Sequence, residues 1–237
     1  MGDVCTRDCG FCAVTKGTPL PLDPGEPSRV AGAVAALGLA HAVVTSVTRD
    51  DLPDGGAAHF AAVVRAVRAT SPGTRVEALI PDFRGDRAAL ETVLDAGPDV
   101  LNHNLETTEA LYPAIRRPRE SYGRSLGVIA AAKRRGALTK SGLMIGLGES
   151  EADILRTFAD LRRAGCDLLT VGQYLQPTAA HHPAAKYYTP EEFASLAAEA
   201  RRAGFLEVVS GPLVRSSYEA GRLYDAVRDK DGVSCAT

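Results

Sequence analysis

The sequence is poor in aromatic residues, has no long apolar run and carries little net charge. Its 237 residues include no tryptophan, aromatic residues make up 5%, and the net charge is −2. A platform on which nucleobases could stack is therefore not expected, and the basic runs at 116–117 and 133–135 are too short for a nucleic-acid track. No apolar stretch approaches the roughly 20 residues of a membrane span. We therefore predict no nucleic-acid partner and no membrane partner.

Cysteine is also scarce, but its distribution is uneven. Three of the five cysteines, Cys5, Cys9 and Cys12, form a CxxxCxxC pattern. Three thiolates on one tight loop can bind three irons of a 4Fe–4S cluster, because cysteine is the usual ligand of such clusters. The fourth iron would then stay open to a ligand that the protein does not supply. The spacing predicts a catalytic cluster with these three cysteines as its metal ligands.

Other interpretations of the pattern remain open. A disulfide is disfavoured because the number of cysteines is odd and no secretory signal is recognisable. A structural zinc site needs a fourth nearby Cys or His, and the candidates His41, Cys166 and Cys235 are scattered. We interpret Cys166 as a small buried hydrophobe and assign no role to Cys235. A reducing cytoplasmic setting suits such thiolates.

Strand-like and helix-like segments alternate along the rest of the chain. Short β-branched or apolar runs predict strands at residues 41–47, 75–80, 99–104, 140–145, 167–172 and 205–209. Such alternation predicts an α/β fold with parallel strands and crossover helices. Because no GxGxxG follows an early strand, a full or partial (β/α) barrel is favoured over a doubly wound sheet. We expect one domain over residues 1–237.

Helices are predicted from apolar spacing and from capping residues. They are expected around Val30, Val34 and Leu37, around residues 60–67, over 86–96, 107–115 and 121–135, after Ser150, after Thr189, and over 217–227. Ser150 is interpreted as an N-cap, and Thr189 with Glu192 as a capping box followed by Pro190. The tail beyond Asp229 is expected to fray.

Polar side chains collect where the predicted strands end, which in barrels is the functional face. The Asn-His-Asn triplet at 102–104 lies in an otherwise apolar strand, and buried amides need partners, so we predict a site role for it. The glycines of GLMIGLGE (142–149) could relieve crowding in a turn or let a flat ring approach the backbone. His181 and His182 are interpreted as part of a solvated loop rather than as a metal pair.

Several blocks of the sequence resemble one known family. The CxxxCxxC loop and GLMIGLGE resemble motifs of the radical S-adenosylmethionine (radical SAM) superfamily. Within it, TSVTRDDLPDGG, PDFRG, NHNLET, TKSGLMIGLGE, VGQYLQP and GPLVRSSY resemble the lipoyl synthase family over nearly the whole chain. The resemblance implies a partial (β/α)6 TIM-like barrel of the radical SAM type.

The resemblance also implies a chemistry. The open iron of the cluster would chelate the amino and carboxylate groups of S-adenosylmethionine, whose reductive cleavage yields a 5′-deoxyadenosyl radical. That radical would remove hydrogens from carbons 6 and 8 of an octanoyl chain on a lipoyl-domain lysine, where sulfur is inserted during lipoate biosynthesis. The implied partners are an octanoylated lipoyl-domain or glycine-cleavage carrier protein and an electron donor such as ferredoxin or flavodoxin.

Site residues follow from the same resemblance. Those expected to bind S-adenosylmethionine are Thr45, Ser46, Asn104, Glu106, Ile145, Gln173 and Tyr174. Asn104 and Glu106 are expected at the ribose and methionine portion with Thr45 and Ser46 nearby, and the last three residues around the adenine. Ser217, the second serine of RSSY, is expected to bind an auxiliary 4Fe–4S cluster that donates sulfur.

The chain also departs from the family pattern. Lipoyl synthases carry CxxxxCxxxxxC and a first barrel strand ahead of the CxxxCxxC loop, whereas four residues precede Cys5 here. We therefore expect an N-terminally incomplete form, with residues 1–16 as the cluster loop and 205–237 as a C-terminal extension. A partner-completed enzyme, a single-cluster radical SAM enzyme with another product, and a non-catalytic metal-binding module are the alternatives. Asp8 and Gly10 replace the Arg and Pro often found in that loop.

Overall fold

Parallel strands form the centre of the protein. The computed structural model describes residues 1–230, so Cys235 and residues 231–237 of the predicted tail lie outside the described range. The strands are β1 (Val4–Cys5), β2 (Thr15–Lys16), β3 (His41–Thr45), β4 (Arg75–Leu79), β5 (Val100–Asn102), β6 (Thr139–Ile145), β7 (Leu168–Gln173) and β8 (Glu207–Gly211). Strands β3 to β8 form one sheet in chain order, every pair parallel, and β1 pairs only with β2.

Helices connect the strands of this sheet. They are α1 (Glu26–Ala36), α2 (Ala57–Thr70), α3 (Arg87–Leu94), α4 (Glu120–Arg134), α5 (Glu151–Arg163), α6 (Pro190–Arg202) and α7 (Ala220–Lys230), with short 3-10 turns at Phe83–Gly85 and Glu109–Leu111. Within the described residues β3 and β8 are the sheet edges and do not pair with each other. The predicted partial barrel is confirmed. In the same part of the chain, no helix is both long and apolar enough to cross a bilayer.

Capping residues begin several helices where the sequence predicted. The Ser150 hydroxyl accepts a hydrogen bond from the Asp153 amide, which starts α5. At α6 the Thr189 hydroxyl accepts from the Glu192 amide, and the Glu192 carboxylate accepts from the Thr189 amide. These reciprocal bonds satisfy two amides that have no partner inside the helix.

Two predicted helical features are wrong. Leu37 does not face the core: α1 ends at Ala36, and Leu37 is 71% exposed. Gly38 follows in the left-handed region (φ 60°), where the chain turns away from the helix. The helix predicted over 107–115 is only the turn Glu109–Leu111, because Pro113 has no amide to continue a helix.

Helix α7 covers the amino-terminal end of the barrel. Val227 packs against Val100 and Leu168, the first residues of β5 and β7. The Tyr224 ring lies 6.1 Å from the ring of His41, the first residue of β3. α7 therefore contacts both edge strands and leaves the carboxyl ends of the strands as the accessible face.

His103, the centre of the Asn-His-Asn triplet, ties the sheet to α4. Its Nδ1 lies 2.8 Å from the Ile80 carbonyl and its Nε2 lies 2.9 Å from the Ser125 hydroxyl. Since a carbonyl can only accept, Nδ1 carries the proton and Nε2 accepts from Ser125. Burial lowers the pKa of His103 to about 4, so the ring is neutral near pH 7. Both ring nitrogens are engaged in the fold, and His103 also lies at the wall of the cavity between the cysteine loop and the strand ends, so the site role predicted for the triplet stays a prediction.

This burial predicts a pH-dependent stability. Because the pKa of His103 lies below its unfolded value near 6.5, the unfolded chain binds more protons between pH 6.5 and 4. Stability is therefore full above pH 6.5 and falls on acidification by up to about 3 kcal/mol. We expect His103→Asn, which keeps a donor near Ile80, to unfold more easily at pH 7.5 but to lose less stability by pH 4.5. Urea unfolding of both proteins at pH 7.5 and 4.5 gives the free energy of unfolding that each loses on acidification. Equal losses would contradict the lowered pKa of His103.

Candidate active site

The CxxxCxxC segment is a loop whose two ends are joined. β1 pairs with β2, so Cys5 lies opposite Lys16, and the Gly17 amide donates to the Cys5 carbonyl at 3.1 Å. Inside the loop the Cys12 amide donates to the Cys9 carbonyl at 3.1 Å. All three cysteines are free thiols of intermediate burial, and burial raises the pKa of Cys9. The loop thus presents three unpaired thiols within eight residues.

Arg7 binds the first half of the loop to the sheet. Its guanidinium donates to both Asp50 carboxylate oxygens at 2.7 and 3.0 Å and to Asp82 at 2.5 Å. Asp50 lies in the loop after β3, and Asp82 in the loop after β4. Burial alone would raise the pKa of Asp82, but the hydrogen bond and charge of Arg7 lower it to about 2. The carboxylate is therefore ionised and paired.

Thr6 adds backbone contacts beside Arg7. Its amide and its hydroxyl donate to the Thr48 carbonyl at 3.1 and 3.0 Å, and its hydroxyl accepts from the Asp50 amide at 3.0 Å. The TSVTRDD and PDFRG blocks therefore act together, because each supplies part of the surface on which the cysteine loop rests. Sequence analysis missed Arg7 and Asp82 as site residues. The signal was present as one arginine inside the cysteine pattern and two acidic strand-end loops.

A cavity of about 440 Å³ lies between the cysteine loop and the strand ends. Seven of the residues predicted for the site line it: Cys5, Cys9, Cys12, Thr45, Ser46, Asn104 and Glu106. Arg7, Asp82 and Arg117 line it as well. This volume is in the range of small-molecule sites. Fold topology thus brings together thiols, hydroxyls, a carboxyl and a guanidinium from segments more than 100 residues apart.

Glu106 has a strained backbone at the cavity wall. Its φ is +74°, its amide donates to the Gly142 carbonyl at 3.1 Å, and its carbonyl accepts from the Met144 amide at 2.8 Å. A non-glycine residue keeps such a conformation only where its surroundings impose it. Burial raises the pKa of the Glu106 carboxyl, and the charge of Arg117 opposes that rise. Sequence analysis also missed Arg117, which neighbours Glu106 only in three dimensions.

A second cavity, of about 360 Å³, lies inside the barrel and adjoins the first. The two share Thr45, Leu79, Asn104 and Glu106 as lining residues. Its other walls are mainly apolar, from Val43, Leu143, Met144 and Val214, with Arg215, Ser216 and Ser217 at one side. Ser217 is therefore placed at the interior cavity and not beside the cysteines.

The RSS segment (Arg215, Ser216 and Ser217) enters the barrel because β6 and β7 each have a glycine facing it. A Cβ at Gly172 would lie 2.2 Å from the Val214 carbonyl oxygen, and one at Gly142 would lie 2.7 Å from Asn104 Oδ1 and 3.0 Å from Ser216 Oγ. Asn104 Nδ2 lies 2.7 Å from Ser216 Oγ. The space left by Gly142 and Gly172 is thus filled by Asn104 and by residues 214–216 of this chain.

A buried ion pair fixes the same segment from below. Lys140 and Glu77 are fully buried, and Lys140 Nζ lies 2.9 and 3.1 Å from the two carboxylate oxygens of Glu77. The third Lys140 contact is the Ser216 carbonyl at 2.7 Å. A buried charge requires such partners. The bond from Lys140 to the Ser216 carbonyl therefore fixes how far the backbone at Ser216 extends into the barrel.

Three predicted residues lie away from both cavities. Ile145 is 1% exposed and belongs to the core between β6 and α5. Gln173 donates to the Tyr174 and Lys186 carbonyls, both at 2.9 Å, and accepts from the Tyr188 amide at 3.0 Å. The Tyr174 hydroxyl donates to the His182 carbonyl at 2.6 Å. None of the three lines either cavity, and their part in framing adenine stays a prediction.

The histidine pair lies in a loop, as predicted from the sequence, but it is less exposed than a fully solvated loop would be. His181 and His182 are half-buried, and the ring of each lies within hydrogen-bond distance of a backbone carbonyl. Among the described residues, no three Cys, His, Asp or Glu side chains converge on a point where one metal ion could sit. A 4Fe–4S cluster differs from a zinc ion in this respect, because each cysteine binds a different iron. Three free thiols on one loop match the cysteine ligands that such a cluster needs.

Comparisons with known proteins agree with this geometry. A family model described as the radical SAM superfamily matches residues 1–161. The lipoyl synthase of Rubrobacter xylanophilus is 60% identical over 222 residues, covering 93% of this chain and 69% of that protein. Lipoyl synthase of Thermus thermophilus is 56% identical, covering 94% and 70%, and that of Mycobacterium tuberculosis is 51% identical, covering 96% and 73%.

Solved structures share the fold at low identity. The [FeFe]-hydrogenase maturase HydG superposes with a TM-score of 0.67 at 16% identity, covering 87% of this chain and 49% of that one. Methylornithine synthase (PylB) gives 0.62 at 15% identity, covering 96% and 78%. These structures support the partial barrel, and the sequence relatives decide the family. The chain belongs to the lipoyl synthase family of the radical SAM superfamily.

Proposed function

We propose that this chain carries the radical core of the lipoyl synthase reaction, in which hydrogens are abstracted from carbons 6 and 8 of an octanoyl chain on a carrier protein for sulfur insertion. The observation that carries the proposal is the pair of adjoining cavities, one walled by three free thiols and the other by apolar side chains. Residues 1–237 would act as one catalytic domain in a reducing cytoplasm. An octanoylated lipoyl-domain or glycine-cleavage protein would supply the substrate, and a ferredoxin or flavodoxin the electron.

Cys5, Cys9 and Cys12 would hold the 4Fe–4S cluster. When bound, the cluster and S-adenosylmethionine supply a 5′-deoxyadenosyl radical for hydrogen abstraction. Within the same cavity, the Arg117 guanidinium is suited to the cofactor's carboxylate, because arginine pairs with carboxylates in a fixed fork geometry. Glu106 would orient the amino group. The hydroxyls of Thr45 and Ser46 and the amide of Asn104 would bind the ribose.

The interior cavity would hold the octanoyl chain beside that site. Each methylene buried there gains about 0.8 kcal/mol from the hydrophobic effect, and Val43, Leu79 and Leu143 supply apolar walls. Exclusion of water from this space protects a reactive intermediate from side reactions. Ser217, at the side of the same cavity, is the candidate ligand for an auxiliary cluster.

Anaerobic reconstitution with iron and sulfide tests the proposal. We expect about four irons and four sulfides per chain for one cluster, and about eight of each if an auxiliary cluster also binds. Reduction with S-adenosylmethionine and an octanoylated lipoyl domain should then yield 5′-deoxyadenosine. Stoichiometric zinc with no cluster absorbance would refute the enzymatic proposal and favour a metal-binding module.

Cys9→Ala should abolish the reaction. Without this thiolate one iron loses its protein ligand, so cluster content and 5′-deoxyadenosine should fall to background in the reconstitution assay. Cys166→Ala is the matched control, since Cys166 is fully buried and lines neither cavity. We expect the control to retain its iron. A full cluster in Cys9→Ala would show that the ligand set is wrong.

Gly172→Ala should disturb the interior cavity. The added methyl group would overlap the Val214 carbonyl, and overpacking of this kind costs about 1–3 kcal/mol. We expect lower urea stability and slower octanoyl turnover. Gly127→Ala, in α4 with open space around its Cα, should instead be neutral or stabilising by up to about 1 kcal/mol. Equal stability of the two variants would mean that the Val214 carbonyl does not occupy this space.

A further inference from the structure

The segment between β7 and α6 reaches back to the second half of the cysteine loop. The His182 amide donates to the Gly10 carbonyl at 2.9 Å. The His181 Nε2 lies 3.2 Å from the Cys12 carbonyl, and its Nδ1 lies 2.8 Å from the Thr178 hydroxyl. Because a carbonyl only accepts, Nε2 of His181 is the donor to Cys12. Two consecutive histidines thus bind backbone on both sides of Phe11.

His182 is held on its other side by the turn after β6. Its Nε2 lies 2.8 Å from the Leu147 carbonyl and donates to it. Its own carbonyl accepts from the buried Tyr174 hydroxyl at 2.6 Å. Tyr174 also packs with Leu147 and Ile115 in a small buried cluster. His182 is therefore braced against the barrel while its amide binds the cysteine loop.

This half of the loop has few other polar attachments to the barrel. Arg7 and Thr6 attach only the part before Cys9 to the strand-end loops. After Cys9, the Gly10 amide donates to the Ile115 carbonyl at 2.8 Å and the Phe11 side chain packs against the cluster of Ile115, Leu147 and Tyr174. A proline at position 10 could not make that bond. The position of Cys12 in particular depends on contacts from the segment at 181–182.

We infer that His181 and His182 are positioning residues for the second and third cysteines of the cluster loop. They act through the backbone: His181 holds the Cys12 carbonyl, and His182 joins Gly10 to the Leu147 turn. The hydrogen bonds of the two rings go to backbone carbonyls and to the Thr178 hydroxyl, and not to a thiol. The inference rests on the proposed function, because it assigns the pair to the proposed cluster site.

Thiol alkylation of the full chain, freed of iron with a chelator, tests the inference. In His182→Leu the Leu147 bond is lost, whereas His182→Gln can still place an amide donor at the Nε2 position. The variants His181→Leu and His181→Gln form the same matched pair at Cys12. Loss of one hydrogen bond should raise the alkylation rates of Cys9 and Cys12 about 2- to 10-fold in the leucine variants. The glutamine variants should stay near wild type.

Cys166 provides the internal control. It is fully buried, so it reacts only when the barrel opens, and its rate should be unchanged in every variant. A parallel rise at Cys166 would mean that the histidines only stabilise the fold, and unchanged Cys9 and Cys12 rates would overturn the inference directly. In reconstituted protein, the leucine variants should also release iron to a chelator faster by a similar factor. Failure of the wild type to bind a cluster would refute the proposed function alone, since alkylation requires no iron.

Discussion

The placement of the first half of the cysteine loop depends on the charged hydrogen bonds of Arg7. The loop that carries them has only the two-residue pairing of β1 with β2 as secondary structure, so its own hydrogen bonds cannot fix its shape. Arg7 supplies a planar fork of donors and binds carboxylates from the loops after two neighbouring strands. Since parallel strands end at the same edge of the sheet, those carboxylates lie close together. The sheet therefore determines where the thiols lie.

The same interaction also stabilises the sheet loops. The Asp82 side chain is fully shielded from solvent, and besides Arg7 it has the Arg84 amide at 3.0 Å and Arg124 at 3.4 Å. A buried carboxylate that loses its main cation keeps its desolvation cost. Without Arg7 the loop after β4 would thus carry an underpaired charge. The cysteine loop and the barrel consequently form one structural unit.

Local patterns predicted most of the fold. The six strands, the Ser150 cap and the capping box at Thr189 could be read from the sequence because each depends on residues within a few positions. The predictions for Leu37 and for a helix over 107–115 were wrong for a local reason as well. Gly38 and Pro113 interrupt helices, but the apolar spacing was given more weight than either residue. The cysteine spacing and the family resemblance together named seven site residues that line one cavity.

The remaining contacts leave weaker traces in a single sequence. Asn104 and Ser216 are 112 positions apart, and His181 and Cys12 are 169 apart. The first contact has a recognisable signature, because only glycine at Gly142 leaves room for it. The histidine contacts have none, since both rings bind backbone carbonyls that any residue would offer. A loop that is held through its backbone carbonyls can be built from many residue types. Its own sequence therefore does not show which side chains hold it. The cysteine pattern therefore predicts metal ligands but not the side chains that would position them.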